Sequence, residues 1–213
     1  MKPSTFLKGI VFLFVVIFLG YSYFNSTSEE DTQKYITEIT SEREKKDTEF
    51  KDESSSPLTE DEKLIFKALS YFPVNADFKV NASLEWYGLP KTVKIKTTKG
   101  LPRNYKKVAL AKFHLNGKSL SLTLLADAMR NPLTKDVVMV LFTDKTSGKD
   151  TYGAGRYIEL HNVKKGQLQT TIDFNTSYNP YCAYNENFDC PIPPSENHLE
   201  TEVKVGEKIF KKH

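Results

Sequence analysis

The feature that most constrains this chain is an alternation of apolar and polar residues that is interrupted by Asn116-Gly117. The alternation runs through Phe78–Trp86, Lys107–Leu115 and Ser119–Leu125. Because successive side chains of a strand point to opposite faces of the sheet, a period of two predicts half-buried strands. Asn-Gly between two such runs favours a tight type I′ turn, which needs a positive φ at both residues. The sequence therefore predicts a β-hairpin centred on Asn116-Gly117.

Further patterns extend this hairpin to a mainly β, α+β fold. We expect more strands at 93–97, 137–142, 157–163 and 168–174, the last two forming a hairpin around Lys164–Gln167. Helices are expected at 35–50 and 60–69, and Thr59 with Glu62 forms a capping box before the second helix. Since no long helical pattern separates the strands, they should pair antiparallel. We predict an antiparallel barrel-like or sandwich sheet preceded by two N-terminal helices.

The N-terminus adds a transmembrane helix to this predicted fold class. Phe6–Phe24 is apolar with Lys8 as its one charge. About 19 helical residues span roughly 28 Å, which is close to the thickness of a bilayer core. Lys2 and Lys8 lie at the start of the segment and acidic residues follow it, so the remaining chain should lie outside the cytoplasm, on the periplasmic side.

Two interpretations of this N-terminal segment stay open. It is either an uncleaved signal anchor, with the membrane as a partner, or a signal peptide from which a secreted protein is released. The residues after the segment lack a cleavage site of the Ala-x-Ala type, which favours the anchor. We therefore divide the chain into a membrane anchor or signal segment (1–28), a charged helix and linker (29–57) and a mainly β globular domain (58–213).

Charge and short motifs exclude several classes of function. The net charge is +3, and the 30 basic and 27 acidic residues are interspersed, so no nucleic-acid surface is expected. Gly153 and Gly155 form a Gly-x-Gly motif without the helical pattern that a nucleotide site requires. The two cysteines lack the spacing of a zinc site. We predict no metal and no cofactor.

Both cysteines lie in the segment that is densest in reactive and binding side chains, Asp173–Asn197. In an exported domain, Cys182 and Cys190 are expected to form a disulfide. It would close a loop of about nine residues and stabilise the fold by roughly 2.5 kcal/mol. A nucleophilic Cys182 remains an alternative, although the segment contains no histidine that would act as its base.

The same segment predicts a polar pocket at one end of the sheet. Asp173 and Asn175 are two positions apart on a strand, so they share a face. Arg156 would pair with Asp173 or Glu196, with Tyr157 and Tyr178 as walls. The predicted ligand-binding residues are Arg156, Asp173, Asn175, Tyr178, Glu196 and Asn197. Such a set suits a small polar or carboxylate-bearing ligand.

Four segments carry a resemblance to a known family. They are SPLTEDEKLIFKALSYFP (56–73), DKTSGKDTYGAGRYIEL (144–160), DFNTSYNPYCAYNENFDCPIPPSEN (173–197) and VGEK (205–208). From about Tyr35 onward the chain resembles the bacterial domain-of-unknown-function family 1684. The resemblance implies a compact domain with a site in the third segment and supplies no reaction.

Three functions therefore remain open. The first is a membrane-anchored, extracytoplasmic binding or envelope-associated module with a polar pocket. The second is a small hydrolase-like enzyme that uses Asp173 or Glu196 for acid–base chemistry. The third is a purely structural domain, in which the polar residues satisfy the backbone of a long loop. No catalytic residue can be assigned.

Overall fold

A computed structural model describes residues 29–52, 54–129 and 137–211 of the chain. Two helices come first, α1 over 29–52 and α2 over Glu60–Ile65. Seven strands follow them: β1 (Lys79–Ile95), β2 (Arg103–Leu115), β3 (Lys118–Asp127), β4 (Val137–Asp144), β5 (Arg156–His161), β6 (Gln169–Asp173) and β7 (His198–Leu199). The predicted order of two helices and then strands is confirmed.

The turn between β2 and β3 forms as its sequence predicts. Asn116 has a φ of 51° and Gly117 a φ of 72°, and Leu115 pairs with Lys118 across the turn. The start of α2 also follows its sequence signal. The Thr59 hydroxyl accepts from the backbone N–H of Glu62 at 3.3 Å, and a Glu62 carboxylate oxygen accepts from the Thr59 N–H at 2.9 Å. Local signals therefore fix these two features.

The strands form one curled antiparallel sheet, a half-barrel, in the order β5-β4-β3-β2-β1-β6. β7 adds to β4 in parallel. β1 combines two predicted strands, and its pairing with β2 shifts register between Trp86 and Lys91. The predicted hairpin around Lys164–Gln167 is wrong, because β6 pairs with β1 at the opposite edge of the sheet from β5.

The predicted fold class needs a correction. The sheet is a single curled layer, so it is not a sandwich. Among residues 29–52, 54–129 and 137–211, no helix has the length and apolar character needed to cross a membrane, so the described part of the chain lacks the predicted transmembrane helix. The segment for which that helix was predicted, Phe6–Phe24, lies outside the described residues.

Alternate side chains of the strands bury both faces of the sheet. The core face carries the main hydrophobic cluster, which includes Val140 of β4 and Ile158 of β5. The other face, here called the outer face, carries a second cluster made by Ile95, Tyr105, Leu125, Leu141 and Tyr157. Met139 and Tyr178 pack against this second cluster. The segment that contains Tyr178 therefore covers the outer face of the sheet.

Candidate functional site

The structure places Arg156 inside the fold. Its side chain is 1% exposed, and the guanidinium donates to the Asp144 carboxylate at 2.9 Å and to the carbonyl oxygens of Val203 at 2.8 Å and Val205 at 2.5 Å. Burial lowers the pKa of Arg156 from its ordinary value. The prediction that Arg156 pairs with Asp173 or Glu196 was therefore wrong. Arg156 holds the extended C-terminal segment against β4 and β5.

Asp173 and Asn175 lie side by side, but not on one strand as predicted, because β6 ends at Asp173 and Asn175 belongs to the 3-10 helix Phe174–Thr176. Asp173 Oδ1 accepts from the backbone N–H of Asn175 at 2.9 Å, and Asp173 Oδ2 accepts from the Tyr35 hydroxyl at 2.7 Å. The Asn175 side chain accepts from the N–H of Asn75 at 2.9 Å and donates to its carbonyl at 2.8 Å. These bonds give partners to backbone groups of Asn75 and Asn175, and the bond from Tyr35 attaches α1 to the domain.

Asn197 lies where β3 and β4 separate. Its amide donates to the carbonyls of Thr123 at 3.0 Å and Leu141 at 2.8 Å, and accepts from the N–H of Thr123 at 2.8 Å. The Asn197 side chain thus supplies hydrogen bonds to backbone groups of β3 and β4 that the two strands do not make with each other. Its neighbour Glu196 points to the surface, where a bond from Lys107 at 2.5 Å lowers the pKa of its carboxyl.

A cleft of about 950 Å³ lies on the outer face, between α1, β5 and the loop 176–191. We call it the outer cleft. Among the described residues that line this cleft, Tyr178 is the one that was predicted to bind a ligand. Tyr157, which was predicted as a wall of the pocket, lines the cleft as well. Its aromatic lining consists of Phe50, Tyr105, Tyr157, Tyr178, Tyr181 and Phe188. Arg156, Asp173, Asn175, Glu196 and Asn197 do not converge on this cleft.

The aromatic walls are held in fixed orientations. The rings of Tyr157 and Tyr178 meet edge to face, with centroids 5.9 Å apart. The Tyr178 hydroxyl donates to a Glu159 carboxylate oxygen at 2.6 Å, and the Tyr157 hydroxyl donates to the carbonyl of Pro191. Burial raises the pKa of both tyrosines well above the ordinary value, so both hydroxyls remain donors.

Charged side chains at the outer cleft are mostly engaged within the protein. Lys46 of α1 donates to Glu207 at 2.9 Å, and its ammonium lies 5.0 Å from the ring centroid of Tyr178. Arg103 lies 3.5 Å from a carboxylate oxygen of Asp189. The cleft therefore combines apolar ring surfaces with ion pairs at its border.

Both cysteines are buried free thiols beside this cleft, and Cys190 lines it. The backbone N–H of Cys182 donates to Cys190 Sγ at 3.3 Å. A hydrogen bond with the Cys190 thiol lowers the pKa of Cys182 to about 7, and the same bond raises the pKa of Cys190. Their predicted disulfide stays a prediction. No group of three or more metal-ligating side chains occurs in the part of the chain that the structure describes.

Sequence reasoning missed the contribution of α1 to the cleft. Glu42, Lys46, Glu49 and Phe50 line it from this helix. Their spacing places them along one helical face, but the charges concealed that face in a search for apolar positions. Glu207 was also missed as a partner, although it lies in the recognised VGEK segment.

The fold and site define a single-sheet, mainly β domain with an aromatic-walled cleft on its outer face. The chain belongs to a family of proteins of unknown function, DUF1684, whose model matches residues 65–208. The predicted family is thus confirmed. The chain is also similar to an uncharacterised protein from Haloarcula marismortui, whose structure was solved by solution NMR. The identity is 35%, the TM-score is 0.66, and the likeness covers 86% of this chain and 99% of that one. No curated protein matches the chain.

Proposed function

We propose that this protein is a binding module whose outer cleft takes a small organic ligand. The observation that carries the proposal is a cleft of about 950 Å³ with six aromatic side chains in its lining. Sites for small molecules typically enclose roughly 300–1,000 Å³ and combine aromatic walls with a few polar groups. The polar groups here include Glu159, His161 and Asn187.

The fixed orientation of the aromatic walls supports the binding of a ligand in the outer cleft. The Tyr157 and Tyr178 hydroxyls are already bonded to protein acceptors, and the Tyr181 and Phe188 rings meet edge to face at 5.1 Å. Rings that are fixed before binding lose little conformational entropy when a ligand arrives. An aromatic or aliphatic ring of the ligand would pack against these surfaces.

The hydrolase alternative has less support. Asp173 accepts hydrogen bonds from Tyr35 and Asn175, and Glu196 forms an ion pair with Lys107. Neither carboxylate is in the lining of the outer cleft. No second observation favours acid–base chemistry at these residues.

A thermal-shift screen of small organic molecules on the full chain tests the proposal. We expect at least one class of compound to raise the melting temperature by binding the folded state. The shift should fall strongly in Phe188→Ala and persist in Tyr87→Ala, an aromatic control outside the cleft lining. If no compound raises the melting temperature, or if both variants respond alike, the binding role is wrong and a structural domain is favoured.

A further inference from the structure

A smaller pocket of about 140 Å³ adjoins the outer cleft beneath α1. We call it the inner pocket. It shares Glu42, Lys46, Thr176 and Tyr178 with the lining of the outer cleft, so the two spaces meet. Arg43 and Tyr71 also line the inner pocket. A pocket of this size has room for one small functional group.

Arg43 carries a positive charge that no described carboxylate neutralises by direct contact. Its guanidinium donates to the carbonyl oxygens of Phe72 at 2.9 Å and Asn175 at 3.3 Å, which are neutral acceptors. Asp173 and Glu207 act on it only from beyond ion-pair distance, since neither forms a salt bridge with it. Arginine has five N–H donors, so these two bonds leave donors for a further acceptor.

Arg43 Nε and the Tyr71 hydroxyl are buried and have no hydrogen-bond partner among the described residues. The two side chains are in contact, with the Arg43 guanidinium carbon 4.5 Å from the centroid of the Tyr71 ring. Leaving a buried donor unsatisfied costs about 1–3 kcal/mol, so such groups commonly mark a place for another acceptor. Arg43 Nε can only donate, and the Tyr71 hydroxyl can donate as well.

We propose that the inner pocket binds the carboxylate group of the ligand that occupies the outer cleft, with Arg43 and Tyr71 as its hydrogen-bond donors. A planar carboxylate matches the donor geometry of a guanidinium and brings the countercharge that Arg43 lacks. Lys46 also lines the pocket but is already paired with Glu207. Glu42 is exposed, so its carboxylate can remain in solvent.

The ligand class that follows is a small organic acid with an aromatic or aliphatic ring. The ring would pack against the walls of the outer cleft, and the carboxylate would reach beneath α1. This assignment rests on the proposed binding function and adds the chemical class of its ligand.

Calorimetric titration of the full chain with phenylacetate, phenylacetamide and phenethylamine compares one ring with three charge states. We expect phenylacetate to bind at least about tenfold more tightly than the neutral amide or the amine, because a charge-assisted pair forms only with the acid. Equal binding of all three would overturn the carboxylate assignment and leave the binding cleft standing. If none of the three compounds binds and no compound in the thermal-shift screen binds either, both proposals are wrong.

Tyr71→Phe separates binding from folding. The hydroxyl that it removes has no hydrogen-bond partner in the described part of the chain, so thermal stability should hold or rise. We expect phenylacetate affinity to fall about tenfold, and phenylacetamide affinity to change less. Arg43→Gln should remove the preference for the acid, whereas Arg103→Gln at the border of the outer cleft should keep it. Unchanged phenylacetate affinity in Tyr71→Phe and Arg43→Gln would overturn the proposal.

Discussion

The ammonium of Lys46 in α1 lies 2.9 Å from a carboxylate oxygen of Glu207, close to the end of the described chain. Glu207 is fully buried, and it also accepts from the Asn179 amide at 3.0 Å and from the Tyr184 hydroxyl. The backbone N–H of Glu207 donates to the carbonyl of Ser177. One carboxylate thus joins the first helix, the loop that borders the outer cleft and the C-terminal segment.

Lys46→Met tests this junction. The change leaves the Glu207 carboxylate buried without its cation, so we expect a loss of about 3 kcal/mol in the free energy of unfolding, measured with urea. Lys45→Met is the matched control, because Lys45 is exposed and lies 3.7 Å from Glu49 in a solvent-accessible pair. It should cost less than about 0.5 kcal/mol. Equal losses in the two variants would show that the Glu207 pair does not hold α1 in place.

Asn197→Ala tests the bridge between β3 and β4. The variant leaves Thr123 and Leu141 without the three hydrogen bonds that the amide supplies, so about 2–4 kcal/mol of unfolding free energy should be lost. Urea unfolding measures the loss, and hydrogen exchange at the N–H of Thr123 should accelerate. Asn187→Ala, at an exposed position, serves as the control. A cost below about 0.5 kcal/mol for Asn197→Ala would contradict the bridging role.

The sequence predicted those parts of the fold that are set by neighbouring residues. Asn116-Gly117 determines its own turn, and Thr59 with Glu62 determines the start of a helix, because both signals act within a few positions. The partner of β6 was not predictable in this way. A turn-like stretch at Lys164–Gln167 does not reveal that β6 finds β1 across the sheet.

The sequence located the candidate site only in part, because many of the contacts there join residues that are distant in sequence. Asp173–Asn197 does form one side of the cleft, but most of its conspicuous polar side chains bond to the fold. Arg156 and Asn197 are occupied by backbone groups that are distant in sequence, and no local pattern shows such partners. Aromatic residues such as Phe188 form the cleft, and their role depends on which face of the sheet the loop covers.

Alkylation of Cys182 should depend on pH in a way that reveals its neighbour. The hydrogen bond from Cys190 lowers the pKa of Cys182 to about 7, and the thiolate is the reactive form. In the reduced protein, the rate of alkylation of Cys182 should therefore rise through a midpoint near pH 7. Cys190→Ala removes the bond, so the midpoint should move up toward about 8.5, the value of an ordinary cysteine.

Peptide mass spectrometry across a pH series measures both rates. A midpoint that is identical in the wild type and in Cys190→Ala would contradict the hydrogen bond between the thiols.

The predicted disulfide between Cys182 and Cys190 can be tested separately by oxidation. Mild oxidation of the native protein should join Cys182 to Cys190 with the loss of two hydrogens, which intact-mass spectrometry detects. Relative to the reduced protein, the cross-link should add roughly 2.5 kcal/mol to the free energy of unfolding. Both thiols remaining free after oxidation would contradict the prediction. The location of the domain outside the cytoplasm likewise stays a prediction, and isolation of the oxidised form from cells would support it.

Mapping of backbone amide shifts by NMR, on the full chain with a bound small molecule from the screen, tests the ligand-binding role of the outer cleft most directly. We predict that the changes centre on Tyr157, Tyr178 and the loop 187–191, and that they include Arg43 and Tyr71 when the ligand is a carboxylate. Changes centred on Asp173 and Glu196, away from the aromatic walls, would contradict the assignment of the outer cleft.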